Sequence, residues 1–267
     1  MSEYFFLVNV GDGIVSSVCL SKFIPNRLSK SPIGIKYKVA IYIQNLDSTI
    51  WKKIDEVEFN NSNNITLKSS SYDLEVGQLA VVVPCNIEAV LDDSVNILPE
   101  PLSRKVDHSP VNERATISFK KGNVYSSFQG EFPYQMSKIK GAFLTFDPLI
   151  LGNSKDIKTK IVFINIHSKI LTVKDYFELF VADIKTKETI LSKGYMHNSA
   201  CIIDISSSED SGYVFYSKET LGIPIFISYD EKGGYLSVEH THPPAEYFWN
   251  NKIEGQRLLK QNWLSQL

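Results

Sequence analysis

Paired cysteines are missing from this sequence. Its 3 cysteines, Cys19, Cys85 and Cys201, are far apart and none lies in a C-x-x-C. Zinc ribbons, dithiol redox motifs and a disulfide framework are therefore unsupported. Cys85 follows Val81-Val82-Val83-Pro84 and Cys201 precedes Ile202-Ile203, so the thiols are expected to be small buried groups in or beside strands. Long apolar runs are missing too. No stretch approaches the ~18 consecutive apolar residues of a membrane span. The N-terminal run from Tyr4 follows an acid, Glu3, and stops at Asn9, unlike a secretory signal. The expectation is a soluble, cytoplasmic chain with no membrane span. An excess of positive charge is also lacking. Lys plus Arg is 28 against 30 for Asp plus Glu, a net charge of -2, so nucleic acid is not an expected partner.

Familiar catalytic signatures are absent. There is no G-x-S-x-G nucleophile elbow and no G-x-x-x-x-G-K-[ST] phosphate loop. Gly11-Asp12-Gly13 has no helix behind it and reads as a turn. The carboxylate pairs Asp92-Asp93 and Glu209-Asp210 lie in polar loops, where adjacency alone makes no catalytic cleft.

What the sequence does have is short strands. Apolar residues make up 43% of 267 residues and charged residues 22%, an ordinary globular composition. Tyr37, Val39, Ile41 and Ile43 alternate with Lys36, Lys38, Ala40, Tyr42 and Gln44, the period of a half-buried strand. The runs 79–83, 161–166, 176–184 and 223–227 are apolar on both faces and rich in Val, Ile, Phe and Tyr, as central strands are. Asp230-Glu231-Lys232-Gly233-Gly234 joins two such runs as a hairpin. The fold class expected is all-β: two antiparallel β-sandwich-like units in tandem, followed by a C-terminal amphipathic helix. Prolines and charges accumulate over 92–115. The chain therefore divides into an N-terminal unit over 1–93, a linker or crossover over 94–114, and a C-terminal unit with the helix over 115–267. Gly13-Ile14-Val15-Ser16-Ser17 and Gly122-Asn123-Val124-Tyr125-Ser126-Ser127 hint at a duplicated unit. The helix is read over 254–267, where Leu259, Trp263 and Leu267 recur every four residues.

Two sets of side chains stand out as candidate sites. In Glu239-His240-Thr241-His242 the two imidazoles project from one face if the preceding strand continues. Two such nitrogens can chelate a divalent metal, with Glu246 returning as a carboxylate ligand and His167 or His197 supplying a third nitrogen. The competing reading makes His240 and His242 a continuation of the core-facing row Leu236, Val238. Trp51, Tyr134, Tyr213, Tyr216 and Trp249 lie in or beside polar turns and are candidate flat platforms for sugar rings. The preferred reading is a non-catalytic binding or assembly protein that uses sandwich surfaces to recognise a glycan or a protein, with self-association as a further partner expectation. No cofactor is expected under that reading. The alternative is a metal-dependent enzyme centred on His240 and His242.

Overall fold

The structure, a computed structural model, describes residues 2–20, 36–45, 48–60, 64–103, 115–138, 141–146, 156–168, 176–205, 212–240, 261–262 and 264–266. Strands dominate them, and every named strand pairing is antiparallel. With strands numbered in chain order, a six-stranded sheet runs β10 (Phe132–Pro133), β1 (Glu3–Val8), β6 (Leu79–Asn86), β3 (Lys36–Gln44), β4 (Trp51–Asn60), β7 (Ser94–Val95). A four-stranded sheet, here the small sheet, runs β5 (Ile65–Lys68), β2 (Val15–Leu20), β8 (Thr116–Lys121), β9 (Val124–Gln129). A third, the middle sheet, runs β15 (Ala200–Ile205), β12 (Ile157–Ile164), β17 (Ile223–Asp230), β18 (Leu236–His240). The fourth, the distal sheet, runs β11 (Phe143–Phe146), β16 (Tyr213–Ser217), β13 (Tyr176–Asp183), β14 (Thr189–Met196).

Alternation along each strand explains the layers. β1 and β6 are apolar at nearly every position and are buried on both faces, as central strands must be. In the small sheet Val18, Leu67, Ile117 and Phe128 lie opposite one another across the four strands and are all buried. Ser16 is the one polar residue in that inner row of β2. Its hydroxyl accepts from Val8 N and donates to Val8 O, both at 2.8 Å, which satisfies a buried group and ties β2 to β1. The middle sheet is apolar on both faces. Val162, Ile164, Ile225, Ile227 and Val238 join the core of the first two sheets. Ile161, Phe163, Cys201, Ile203 and Phe226 pack against Phe177, Leu179, Val181 and Phe215 of the distal sheet.

Several expectations need correction. β8 pairs with β2, and β10 pairs with β1. The strand pairings therefore cross the expected division at 94–114, and residues 116–133 complete the first unit. The proline-rich stretch up to residue 103 is a strap across the six-stranded sheet. Leu98 is buried, Tyr4 Oη donates to Pro99 O at 3.1 Å, and Leu102 N donates to Pro84 O at 2.8 Å. Residues 104–114 lie outside the described ones. The two similar segments beginning at Gly13 and Gly122 lead into β2 and β9, which belong to one sheet with β8 between them. They do not occupy equivalent places in two sandwiches. No helix of seven or more residues occurs among the described residues, and the amphipathic helix expected over 254–267 is not supported; residues 254–260 lie outside the described ones. There the described residues show one helical turn, in which Ser265 N donates to Gln261 O at 2.9 Å. Leu264 packs on the outer side of the distal sheet against Val214, Tyr216 and Phe180. Trp263 and Leu267 lie outside the described residues.

Candidate functional site

The outer face of the small sheet carries its side chains in regular rows. Its rows follow from strand register. Lys68, Ser17, Ser118 and Ser127 form one row across β5, β2, β8 and β9. Thr66, Cys19, Thr116 and Gln129 form the next. Val15, Lys120 and Tyr125 form a third across β2, β8 and β9. No aspartate or glutamate stands in these rows. Strands lie about 4.8 Å apart, so the serine hydroxyls of the first row repeat at about that spacing. Tyr125 is 74% exposed. A single exposed aromatic is ordinary; its setting is what distinguishes this one. The ring stands directly opposite Lys120 on a sheet face rich in small hydroxyl side chains. Lys68 and Lys120 are exposed and, among the described residues, neither makes an ion pair. The face offers one aromatic plane, a row of hydroxyls and two ammonium groups, with no carboxylate or imidazole in its rows.

The aromatic residues expected to be platforms lie elsewhere. Trp51 is 0% exposed in the six-stranded sheet and Tyr216 is 1% exposed on the distal sheet. Tyr213 faces the middle sheet within the second core. Tyr134 is buried with its ring edge-on to Tyr4, centroids 5.7 Å apart, and the Lys138 ammonium over it at 3.7 Å. A buried ring presents no face to a sugar, so these four are corrected from platforms to core residues. Trp249 lies outside the described residues. Tyr125, two residues after the Gly122-Asn123 turn, is not among the aromatics expected from the sequence. The alternation Tyr125, Ser127, Gln129 against Val124, Ser126, Phe128 was the signal that could have found it.

Of the histidine set, His242 and Glu246 lie outside the described residues. His240 sits opposite Ile225 in β18, and its ring stacks on Phe128 of the small sheet with centroids 4.3 Å apart. Among the described residues no group of three or more His, Cys, Asp or Glu side chains is placed to hold a metal ion. His167 and His197 meet at the far end of the middle sheet, edge to face with centroids 4.5 Å apart. The centre of that cluster is Asn165, fully buried after β12. Its amide donates to Thr220 Oγ1 and Leu221 O, both at 2.9 Å. Its oxygen accepts from Asn198 N at 3.2 Å and lies 3.0 Å from His197 Nδ1. Asn198 takes a left-handed conformation, φ 63°, and its side chain accepts from His167 N at 2.6 Å. Three loops are thereby joined through one amide, an arrangement that fixes the end of the sandwich.

A second polar cluster ties the turn before β2 to the middle sheet. Asp12, at φ 52° in the tight turn before β2, receives Lys160 Nζ of β12 at 2.8 Å and the Tyr229 hydroxyl of β17. Lys160 also reaches Asp204 at 3.0 Å. Lys121 donates to Asp12 O and lies over the Tyr229 ring at 4.8 Å. The Lys160 and Tyr229 hydrogen bonds hold the Asp12 carboxyl below the usual carboxylate range. Burial pulls the Lys160 ammonium down, but Asp12 and Asp204 outweigh it and the net direction is up. Burial and the Asp12 carboxylate push the Tyr229 phenol up. All three groups are held in their ordinary neutral-pH states, as an architectural clamp requires.

Fold and face together define an all-β, multi-sheet protein with a polar, acid-free sheet surface. No family model, no curated protein and no solved structure matches the chain. Among the described residues no helix is long and apolar enough to cross a membrane.

Proposed function

We propose that this is a non-catalytic glycan-binding protein and that the outer face of the β5-β2-β8-β9 sheet is the surface that meets the sugar. The observation that carries this reading is Tyr125, 74% exposed and opposite Lys120, on a face whose rows hold hydroxyl side chains and no carboxylate. Sugars present apolar ring faces and rings of hydroxyls. A phenol plane stacks on the first, and Ser17, Ser118, Ser127 and Thr116 exchange hydrogen bonds with the second. A protein partner suits the face less well, because protein interfaces centre on buried aromatic, Met and Arg anchors, and this face has one aromatic and no Met or Arg.

Binding is tested by titrating a panel of soluble oligosaccharides into the protein and into Tyr125→Ala. Loss of the ring should weaken the best ligand roughly tenfold, equivalent to about 1.4 kcal/mol, while the unfolding midpoint stays where it was. Equal binding by the two proteins would remove the face from the reading.

A further inference from the structure

We infer that the preferred ligand is an acidic polysaccharide, one whose sugars carry carboxylate or sulfate groups. The inference rests on the glycan-binding reading above and deepens it. The charge of the face supports it. The chain as a whole is slightly acidic, with a net charge of -2, yet the face gathers Lys68 and Lys120 and no acid. Elsewhere Lys38, Lys53, Lys158 and Lys160 pair with Glu56, Asp93, Glu231, Asp12 and Asp204, while Lys36, Lys52, Lys138, Lys193, Lys218 and Lys232 make no ion pair among the described residues. What sets the face apart is that its two lysines share it with Tyr125 and with no acid. Lys68 and Lys120 have no such neighbour among the described residues, so their charge is available to a ligand.

Their placement matches a chain laid across the strands. Lys68 stands at the β5 edge in line with Ser17, Ser118 and Ser127. Lys120 stands on β8 beside Tyr125 of β9. From β5 to β8 is two strand spacings, about 10 Å, and Lys120 stands two residues, about 7 Å, further along its strand, so the two lysines lie about 12 Å apart at the backbone and meet different sugars of one chain. The Tyr125 ring stacks the sugar that Lys120 neutralises. Single-stranded nucleic acid also carries anions and flat rings, but its binding sites gather several aromatics along a basic groove. Here one aromatic stands among hydroxyl groups, which match a hydroxyl-rich chain better.

The test uses the full chain and a matched pair of probes, oligogalacturonate and its methyl ester, with heparin as the sulfate arm and a single-stranded oligonucleotide as the competing class. Oligogalacturonate or heparin should bind more tightly than the ester, and the advantage should vanish near 1 M salt, where the screening length is about 3 Å. Lys68→Gln and Lys120→Gln should each weaken the acidic probe about two- to fivefold, the range of exposed ion pairs, and weaken the ester by less. Both substitutions lie on an exposed face, and an unaltered circular-dichroism spectrum checks their folding. If ester and acid bind equally and both need Tyr125, the acidic preference is overturned while glycan binding stands. If no saccharide binds, the underlying reading fails and takes the inference with it. Tighter binding of the oligonucleotide than of either acidic saccharide overturns the inference in favour of nucleic acid.

Discussion

At the scale of single residues, polar groups divide into those that hold the fold and those that face outward. Asn165 belongs to the first kind. Its buried amide serves Thr220, Leu221 and Asn198 at once, so Asn165→Ala should cost about 3 kcal/mol, since several buried groups lose partners together. Urea unfolding measures this, and a loss within about 0.5 kcal/mol, the range of a surface substitution, would contradict it. Asp12 makes stability depend on pH. Its folded carboxyl lies below the unfolded value, so its contribution is present above the ordinary carboxylate pKa and is lost as pH falls through the folded one. Lys160 is raised. Its contribution is present below the ordinary ammonium pKa and is lost as pH rises through the folded one. Asp12 is 45% exposed at its side chain, so Asp12→Asn, which removes the charge and tolerates the left-handed φ, should cost only about 1 kcal/mol at neutral pH and flatten the acid limb of the stability profile. An acid limb as steep as that of the unsubstituted protein would refute the assignment.

At the scale of elements, close packing is enforced by glycine as well as by large side chains. A Cβ at Gly222 would lie 2.5 Å from Ile164 O and 2.3 Å from the Phe163 ring. A backbone oxygen cannot rotate away, so Gly222→Ala should separate β17 from β12 locally and destabilise by about 1–3 kcal/mol. A thermal scan reads this as a lowered midpoint, and an unchanged midpoint would show that the loop shifts without cost. Strand identity was legible in the sequence. The alternation over 36–44 and the apolar runs at 79–83, 161–166 and 223–227 fall in strands, although β3 is buried on both faces rather than half-buried and the run at 161–166 leaves its strand after Ile164. Their partners were not legible, because period-two alternation fixes which side of a strand is buried and says nothing of its neighbour. Prolines at 99 and 101 therefore read as a linker, although the Tyr4 hydroxyl and Pro84 O hold that strap to the sheet. For the same reason a fragment of residues 1–93 lacks β8 and β9 beside β2 and lacks β10 beside β1. It should show no cooperative unfolding transition; a sharp one would restore the expected boundary.

At the scale of the whole molecule, all four sheets are committed to one another through two cores. The middle sheet gives one face to each neighbouring core, and the Asp12, Lys160 and Tyr229 cluster closes the polar end of the first contact. The outer face of the distal sheet is partly covered by Leu264. The outer face of the small sheet is left with exposed Tyr125, Lys120, Lys68 and Ser127. Surfaces of this kind are hard to read from sequence. Tyr, Ser and Lys at alternate positions look the same whether they meet solvent or a ligand, and only the register of four strands brings them into rows. The most direct test of a glycan-binding face is an amide chemical-shift titration of the labelled protein with oligogalacturonate. Shifts concentrated at Ser17, Ser118, Lys120, Tyr125 and Ser127 are the predicted result. Shifts concentrated instead around Asn165, His167 and His197, or an unchanged spectrum at saturating saccharide, would contradict it.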